Sequence, residues 1–278
     1  MQINRIVFWS LCLQVILFSG TESKAQYREF LATIQPAKTV GPGIVGTGVI
    51  QLQQDFNWRH DGKIGDPYER RSNTIHLFRF GLSERVEIRW KAGWRWTKQV
   101  QPDQLDRSQN GFAENEFSLR VKLHDGKAAV PTVSMQIEVN TTATDEEYRP
   151  DYWAPRIVVM TGQRFGPLRV NTNLGLTYDG TRPQHFGWSA IRFGYFLPNR
   201  TELFLEHFGT FSAENWNPGF SSGVGIPIGK DFRFDLSGGF DNPDFSNSTK
   251  ARWKQLRYFA NAGISWRLRA WGPHRKSR

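Results

Sequence analysis

The sequence predicts an all-β fold, a single closed antiparallel transmembrane β-barrel of about 12 strands with short periplasmic turns and longer extracellular loops. Three observations predict it. Apolar and polar residues alternate along many short segments, short and long links alternate between those segments, and a polar chain of 278 residues carries 11 Trp, 7 Tyr and 21 Phe. Disorder is excluded because disordered chains contain few aromatics. A helical membrane bundle is excluded because each spanning helix needs roughly 20 consecutive apolar residues.

Residues 1–25 have the features of a signal peptide. Arg5 precedes an apolar run at 6–18, and Ser23 and Ala25 have the small-residue spacing that signal peptidase reads. The run is too short to remain as a membrane anchor. Cys12 lies within it, so we expect the exported chain to be held together without disulfides. Residues 26–43 are predicted to form a periplasmic lead-in or plug, followed by the barrel at 44–271 and a basic tail at 272–278.

The segment 84–97 shows the alternation most clearly, with Trp90 on the apolar parity and Lys91 on the charged one. Because successive side chains of a strand point to opposite faces, one face is apolar and the other charged. The same period of two recurs at 115–124, 132–140, 168–178 and 257–268. Weaker segments near 47–59, 72–80, 153–164, 186–197, 201–210, 218–228 and 231–240 complete the set.

The links between these segments alternate in length. Short links are predicted at 81–84, 125–127, 166–167, 198–199 and 229–230, and longer polar links at 60–71, 99–112, 141–152, 179–184, 212–218 and 241–254. This regularity is typical of outer-membrane barrels, whose closed sheet satisfies every backbone polar group within lipid. An even number of strands leaves both termini in the periplasm.

Aromatic residues near the outer ends of the strands predict a girdle at the membrane surface. The alternative is that these rings belong to an ordinary soluble core. The predicted girdle comprises Trp58, Trp96, Trp153, Tyr178, Trp216 and Trp253.

The charged parity is predicted to face the lumen. Both signs of charge are present, so the simplest interpretation is a network of cross-strand ion pairs that stiffens the barrel. About 12 strands predict a narrow or partly plugged passage, because eight strands leave a filled interior and 16 to 18 an aqueous channel. The lumen candidates are Glu87, Arg89, Lys91, Arg95, Glu116, Arg120, Lys122, Glu138, Arg169, Glu206, Arg233, Asp235, Arg257 and Arg267, and Asp55 and Arg59 share their parity.

The net charge is +10, and it falls to +9 when Arg5, Glu22 and Lys24 leave with the signal peptide. Basic residues are spread singly along strands rather than gathered in a stripe, which argues against nucleic acid as a partner. The surplus instead predicts a mild preference of the lumen for anionic or neutral polar solutes.

Three stretches resemble the phenol-degradation meta-pathway family of outer-membrane barrels. The clearest is LFRFGLSERVEIRW at 77–90, and ELFLEHFG at 202–209 and AGISWRL at 262–268 are similar to later strands of that family. The resemblance implies a transporter-like role for small, often aromatic or apolar, molecules and a place in the outer membrane. The implied partners are outer-membrane lipid and lipopolysaccharide, the barrel-insertion machinery and a small-molecule solute; the oligomeric state stays open.

Catalytic and metal chemistry has little support in the sequence. The six histidines are scattered, without the spacing of a zinc site, so no metal or cofactor is expected. The stretch GPGIVG at 41–46 lacks the preceding strand of a dinucleotide motif. Glu206, His207 and Ser212 have the residue types of a membrane lipase or acylase, but neighbours on a strand point to opposite faces. Acidic loop residues could hold a divalent ion or simply be solvated: Asp145, Glu146, Glu147, Asp241 and Asp244.

The predicted function is therefore a narrow passive channel or transporter for small molecules in the outer membrane, with no catalytic residues. A structural or lipid-modifying barrel with a closed lumen is the alternative.

Overall fold

A computed structural model describes residues 31, 38–62, 68–100, 105–127, 129–181, 185–212, 216–242 and 256–270. Each strand pairs antiparallel with its neighbours in chain order, and β1 pairs with β12, which closes the barrel. The prediction of a closed antiparallel barrel is confirmed, and the count is twelve. The strands are β1 (Val49–Asp61), β2 (Tyr68–Gly81), β3 (Val86–Val100), β4 (Arg107–His124), β5 (Thr132–Asn140), β6 (Ala154–Phe165), β7 (Leu168–Tyr178), β8 (His185–Phe196), β9 (Glu202–Phe211), β10 (Trp216–Ile228), β11 (Phe232–Asp241) and β12 (Arg257–Arg269).

The strands bury polar side chains and expose apolar ones. Glu87 and Arg120 are completely buried on the inner face, whereas Leu174 and Ile264 are more than half exposed on the outer face. This inversion of the usual globular arrangement arises because lipid covers the outer face of such a barrel. A single 3₁₀ turn at Glu146–Tyr148 joins β5 to β6, and no helix among the described residues is long and apolar enough to cross a membrane.

The predicted link at 99–112 is wrong. β3 runs to Val100 and β4 begins at Arg107, with Gln99 paired to Arg107. The predicted link at 60–71 is likewise too long, because β2 begins at Tyr68. These strand ends lack hydropathic alternation because their outward parity carries charged side chains, among them the paired Arg70 and Lys98, although the backbone ladder continues. Only a bulge, where the register shifts between Gly93 and Trp94, interrupts the β3–β4 pairing.

We call the end of the barrel with the short turns the turn end and the other the loop end. The turn at 166–167 is tight because Gly166 adopts a φ of +57°, which favours glycine. The predicted alternation of link lengths fails twice. The 197–201 connection at the turn end is longer than the following 212–215 connection at the loop end, and the 125–131 connection at the turn end is longer than the preceding 101–106 connection. An isolated bridge between Lys127 and Val130 gives that longer turn its own local pairing.

One side of the lumen is apolar. Side chains from β6, β8, β9 and β12 meet there, and Val40 packs against them. This cluster explains why the parity of 186–208 is ambiguous in sequence, since its strands carry aromatics on both faces. The cluster consists of Val158, Met160, Trp188, Ala190, Phe208 and Phe259.

Candidate functional site: the lumen and the inner segment

Residues 38–48, which we call the inner segment, run through the lumen before the chain enters β1. The backbone N–H groups of Lys38 and Thr39 donate to the two carboxylate oxygens of Glu206, at 2.8 and 2.5 Å. Ser221 Oγ donates to the same carboxylate at 3.0 Å. Glu206 has no exposed surface, so its charge is satisfied by these donors inside the barrel.

Asn173 holds the next residue of the inner segment. Its Oδ1 accepts from the Val40 N–H at 2.6 Å, and its Nδ2 donates to the Val40 carbonyl at 2.7 Å. This two-point contact satisfies both backbone groups of Val40.

Donors on the opposite wall bind successive carbonyls of the inner segment. Arg120 Nη1 lies 3.1 Å from the carbonyl oxygens of both Gly41 and Gly43, and Ser134 Oγ donates to the Pro42 carbonyl at 2.5 Å. The inner segment also passes close to β6. A Cβ atom added to Gly162 of that strand would lie only 2.8 Å from the Pro42 ring. A glycine is therefore required where the inner segment crosses this strand.

Glu87 binds both the inner segment and an arginine of the barrel wall, Arg79. Its Oε2 accepts from the Val45 N–H at 2.9 Å, and both of its oxygens accept from Arg79 at 2.8 Å. Arg79 also donates to the Gly43 carbonyl at 3.2 Å. The bidentate pair orients the guanidinium and leaves a donor for the inner segment.

A second buried network lies on the other side of the lumen. Glu202 accepts from Arg192 at 3.0 Å and from Arg233 at 2.7 Å, and Arg233 also donates to Asp235 at 2.8 Å. A Cβ on Gly225 would collide with the Arg233 guanidinium, so the glycine provides the space that this arginine occupies. The cross-strand pairing makes the wall stiff on this side.

Nearer the loop end, the lumen carries paired charges of both signs. Five cationic and five acidic side chains form ion pairs among themselves, so this part of the lumen is close to neutral. They are Arg59, Arg71, Lys91, Arg95 and Arg257 with Asp61, Glu69, Glu114, Glu116 and Asp241.

At the turn end of the lumen lies a cavity of about 800 Å³, which we call the turn-end cavity. Leu31 and residues 41–43, the latter from the inner segment, form part of its wall. Arg169 lies in the same wall with its guanidinium 4.6 Å from the centre of the Phe196 ring.

The structure places the fourteen lumen candidates on the inward parity of their strands. The pairs not described above are Lys122 with Asp125 at 2.6 Å, Arg156 with Glu138 at 2.9 Å and Arg267 with Asp231 at 2.8 Å. Arg89 lies 3.7 Å from Glu87. Arg89 and Arg120 both bond to the Gln136 side chain.

Several functional side chains were not among the sequence candidates. Arg79, Arg192 and Glu202 carry central ion pairs, and Asn173 and Ser134 bind the inner segment. The charged residues among them share the inward parity, which was the available signal. Asn173 and Ser134 offered none, because a short polar residue on the inner face is ordinary.

Four of the predicted girdle residues lie on the outer face near the loop end: Trp58, Trp96, Tyr178 and Trp216. The fifth, Trp153, directly precedes β6 at the same end. Trp153 is the most open of them, with 64% of its surface exposed. Trp253 lies outside the described residues, as do 1–25, 272–278 and most of 26–43.

The residues of β9 singled out for a lipase or acylase lie on opposite faces of the strand. Glu206 faces inward, whereas His207 faces outward with its ring 4.8 Å from that of Phe220. In the described part of the chain, no group of three His, Cys, Asp or Glu side chains could hold a metal ion.

No family model and no curated protein matches this sequence. The fold is similar to that of an outer membrane channel from Pseudomonas putida F1, with a TM-score of 0.64 and 9% identity over 85% of this chain and 100% of that chain. It is also similar to the β domain of the Bordetella autotransporter BrkA, with a TM-score of 0.50 and 12% identity over 79% of this chain and 99% of that one. The chain thus has the fold of an outer-membrane β-barrel. The resemblance to the phenol-degradation family stays a prediction.

Proposed function

We propose that this protein is an outer-membrane barrel that forms a narrow passage for small molecules, closed by its inner segment. The observation that carries the proposal is how the segment is attached. Single polar side chains of the wall bind backbone groups of residues 38–45, at Glu206, Asn173, Arg120 and Glu87. Water can replace such hydrogen bonds, at a net cost of about 1 kcal/mol for those of the neutral Asn173 and roughly 1.5–3 kcal/mol for each bond to a charged partner, so the segment can leave without disrupting the barrel wall.

The polar lumen suits small hydrophilic solutes, and the apolar side offers a second kind of wall. Phe208 and Phe259 lie there with ring centres 6.0 Å apart, beside Val40 of the inner segment. An aromatic or apolar solute, as the family resemblance implies, would meet this wall once the segment moves. Outer-membrane lipid, lipopolysaccharide and the insertion machinery are the partners we expect of the fold.

Liposome swelling tests the passage. We compare the wild-type chain with E206Q/N173A, which loses two attachments of the inner segment, and with E116Q, whose carboxylate bonds to Lys91 at 2.7 Å instead. Faster swelling in arabinose with the double variant, and a wild-type rate with E116Q, support the proposal.

The closed structural barrel is the second candidate, and the inner segment bound across the lumen favours it. A double variant that folds, as judged by the heat-modifiable gel shift, yet swells no faster than empty liposomes would contradict the channel and support the closed barrel.

A further inference from the structure

Asp55 is a buried carboxylate that has no counter-charge. It lies at the middle of β1 on the inner face, is 4% exposed, and its Oδ2 atom has no hydrogen-bond partner. Among the described residues, no hydrogen bond or ion pair joins Asp55 to another side chain. A buried charge is costly unless another group compensates it, so the position of Asp55 calls for a positive ligand.

A second carboxylate faces Asp55 across β12. Gly263 pairs with Asp55 on one side and with Asp235 on the other, so the three residues form one row on the inner face. Neighbouring strands lie about 4.8 Å apart, which puts the two aspartate Cα atoms roughly 10 Å apart. A Cβ on Gly263 would collide with Oδ1 of Asp55. The glycine therefore lets the Asp55 carboxylate lean across β12 towards Asp235.

Asp235 keeps one oxygen without a partner. Its Oδ1 accepts from Arg233 Nε at 2.8 Å, and Arg233 Nη2 donates to Glu202 at 2.7 Å, so this arginine is shared between two carboxylates. The Oδ2 atom of Asp235 is buried and accepts no hydrogen bond. Asp55 and Asp235 consequently repel each other, and the arginine beside them does not pair with Asp55.

Gln53 supplies a third buried oxygen. It precedes Asp55 by two positions, so it lies on the same face of β1, roughly 7 Å along the strand. Its Nε2 donates to Ser265 Oγ at 3.2 Å, whereas its Oε1 has no hydrogen-bond partner. Carboxylate and side-chain amide oxygens are ligands of Ca²⁺ and Mg²⁺, and Mg²⁺ needs only one or two carboxylates because it keeps several waters. The three oxygens therefore suit a hard divalent cation.

We propose that Asp55 and Asp235, together with the amide of Gln53, bind one hard divalent cation, Ca²⁺ or Mg²⁺, inside the barrel. The cation supplies the positive charge that Asp55 lacks and removes the repulsion between the two carboxylates. It also joins β1 to β11 across β12, at the seam where the first and last strands close the barrel. The site goes beyond the proposed passage, which does not require it.

Isothermal titration calorimetry of the full folded chain in neutral detergent tests the site. The protein is stripped with EDTA, transferred to EDTA-free buffer and titrated with CaCl₂ or MgCl₂ at constant ionic strength. We expect one cation per barrel, and the ion that binds more tightly identifies the preferred ligand. D55N should weaken binding at least tenfold, because even groups that only orient a metal ligand contribute about 10–100-fold. E116Q, whose carboxylate bonds to Lys91 at 2.7 Å, should bind within twofold of wild type.

G263A separates the geometry of the site from its charge. The variant keeps both carboxylates, but the added methyl group takes the place of the Asp55 carboxylate. We expect at least a tenfold loss of affinity, while G238A, whose Cβ would lie 3.5 Å from its nearest neighbour, should bind within twofold of wild type. If D55N does not show the heat-modifiable band of a folded barrel, G263A remains as the test.

The heat-modifiable gel shift gives a second measurement. In EDTA, D55N should unfold at a higher temperature than wild type, because it removes the repulsion. Added cation should raise the unfolding temperature of wild type and leave that of D55N unchanged, since a ligand stabilises only the fold that binds it. Absence of binding at millimolar concentrations of both ions, or equal binding or equal temperature shifts in wild type and D55N, would overturn the inference.

Calorimetry requires no transport, so its result is independent of the swelling test. Faster swelling of E206Q/N173A without cation binding refutes the cation site and keeps the channel. Cation binding without any swelling refutes the channel and keeps the site.

Discussion

Replacing Glu206 with Gln should release Lys38 and Thr39, the first residues of the inner segment, from the barrel wall. The carboxylate accepts two backbone N–H groups, from Lys38 and Thr39, and the Ser221 hydroxyl. A glutamine of the same shape keeps one acceptor oxygen, loses the charge and turns an NH₂ group towards a backbone donor. A hydrogen bond to a charged group contributes roughly 1.5–3 kcal/mol, so we expect a loss of about 2 kcal/mol and a roughly thirtyfold larger released population.

Maleimide labelling of T39C measures this release. Thr39 is 1% exposed and its Oγ1 has no hydrogen-bond partner among the described atoms, so a cysteine fits its place. The predicted mature chain contains no other cysteine. Because a buried thiol reacts only when its segment opens, the labelling rate follows the opening equilibrium. We expect T39C/E206Q to label about thirtyfold faster than T39C, and T39C/E116Q to label like T39C. An increase below threefold, or an equal increase with E116Q, would refute the role of Glu206.

Three further predictions follow from the same contacts. R120M should lower the free energy of unfolding by about 3 kcal/mol in urea titrations, because it leaves buried partners unsatisfied, whereas R107M at the exposed loop end should change it by less than about 0.5 kcal/mol. G162A should push the inner segment off β6 and raise liposome swelling, while G238A, whose Cβ would lie 3.5 Å from its nearest neighbour, should not; equal swelling would contradict this contact. W90A should destabilise the barrel by about 2 kcal/mol in the heat-modifiable gel assay because its ring stacks between two others, and W90F should restore most of that loss.

The strand pattern and the face of most charged residues followed from the sequence. A period of two is a local property, so Glu87, Arg89 and Lys91 are recognisable as one face without knowledge of their neighbours. The same argument is weaker at 99–112, where the ends of β3 and β4 lose their alternation, and at 186–208, where an internal apolar cluster occupies the inner face.

The partners of each charge depended on the closed sheet. Glu87 and Arg79 face each other across the β2–β3 turn, but Glu202 meets Arg233 only because the pairing of β9, β10 and β11 brings them together across the lumen-facing Gly225. The sequence indicates that such charges share a lumen. It does not indicate which of them pair, so the ion pairs of Glu202 with Arg192 and Arg233 become visible only in three dimensions.

By itself, the sequence determined the alternating strands, their inward and outward faces and the antiparallel order, because these depend on neighbouring residues. Only the tertiary structure decided that residues 38–48 run inside the barrel and that Glu206 and Asn173 bind Thr39 and Val40 there. It also decided that arginines from separate turns line one cavity. The physical reason is that these contacts join residues distant in sequence, more than 100 positions apart for those of Glu206 and Asn173, and barrel closure sets which of them meet.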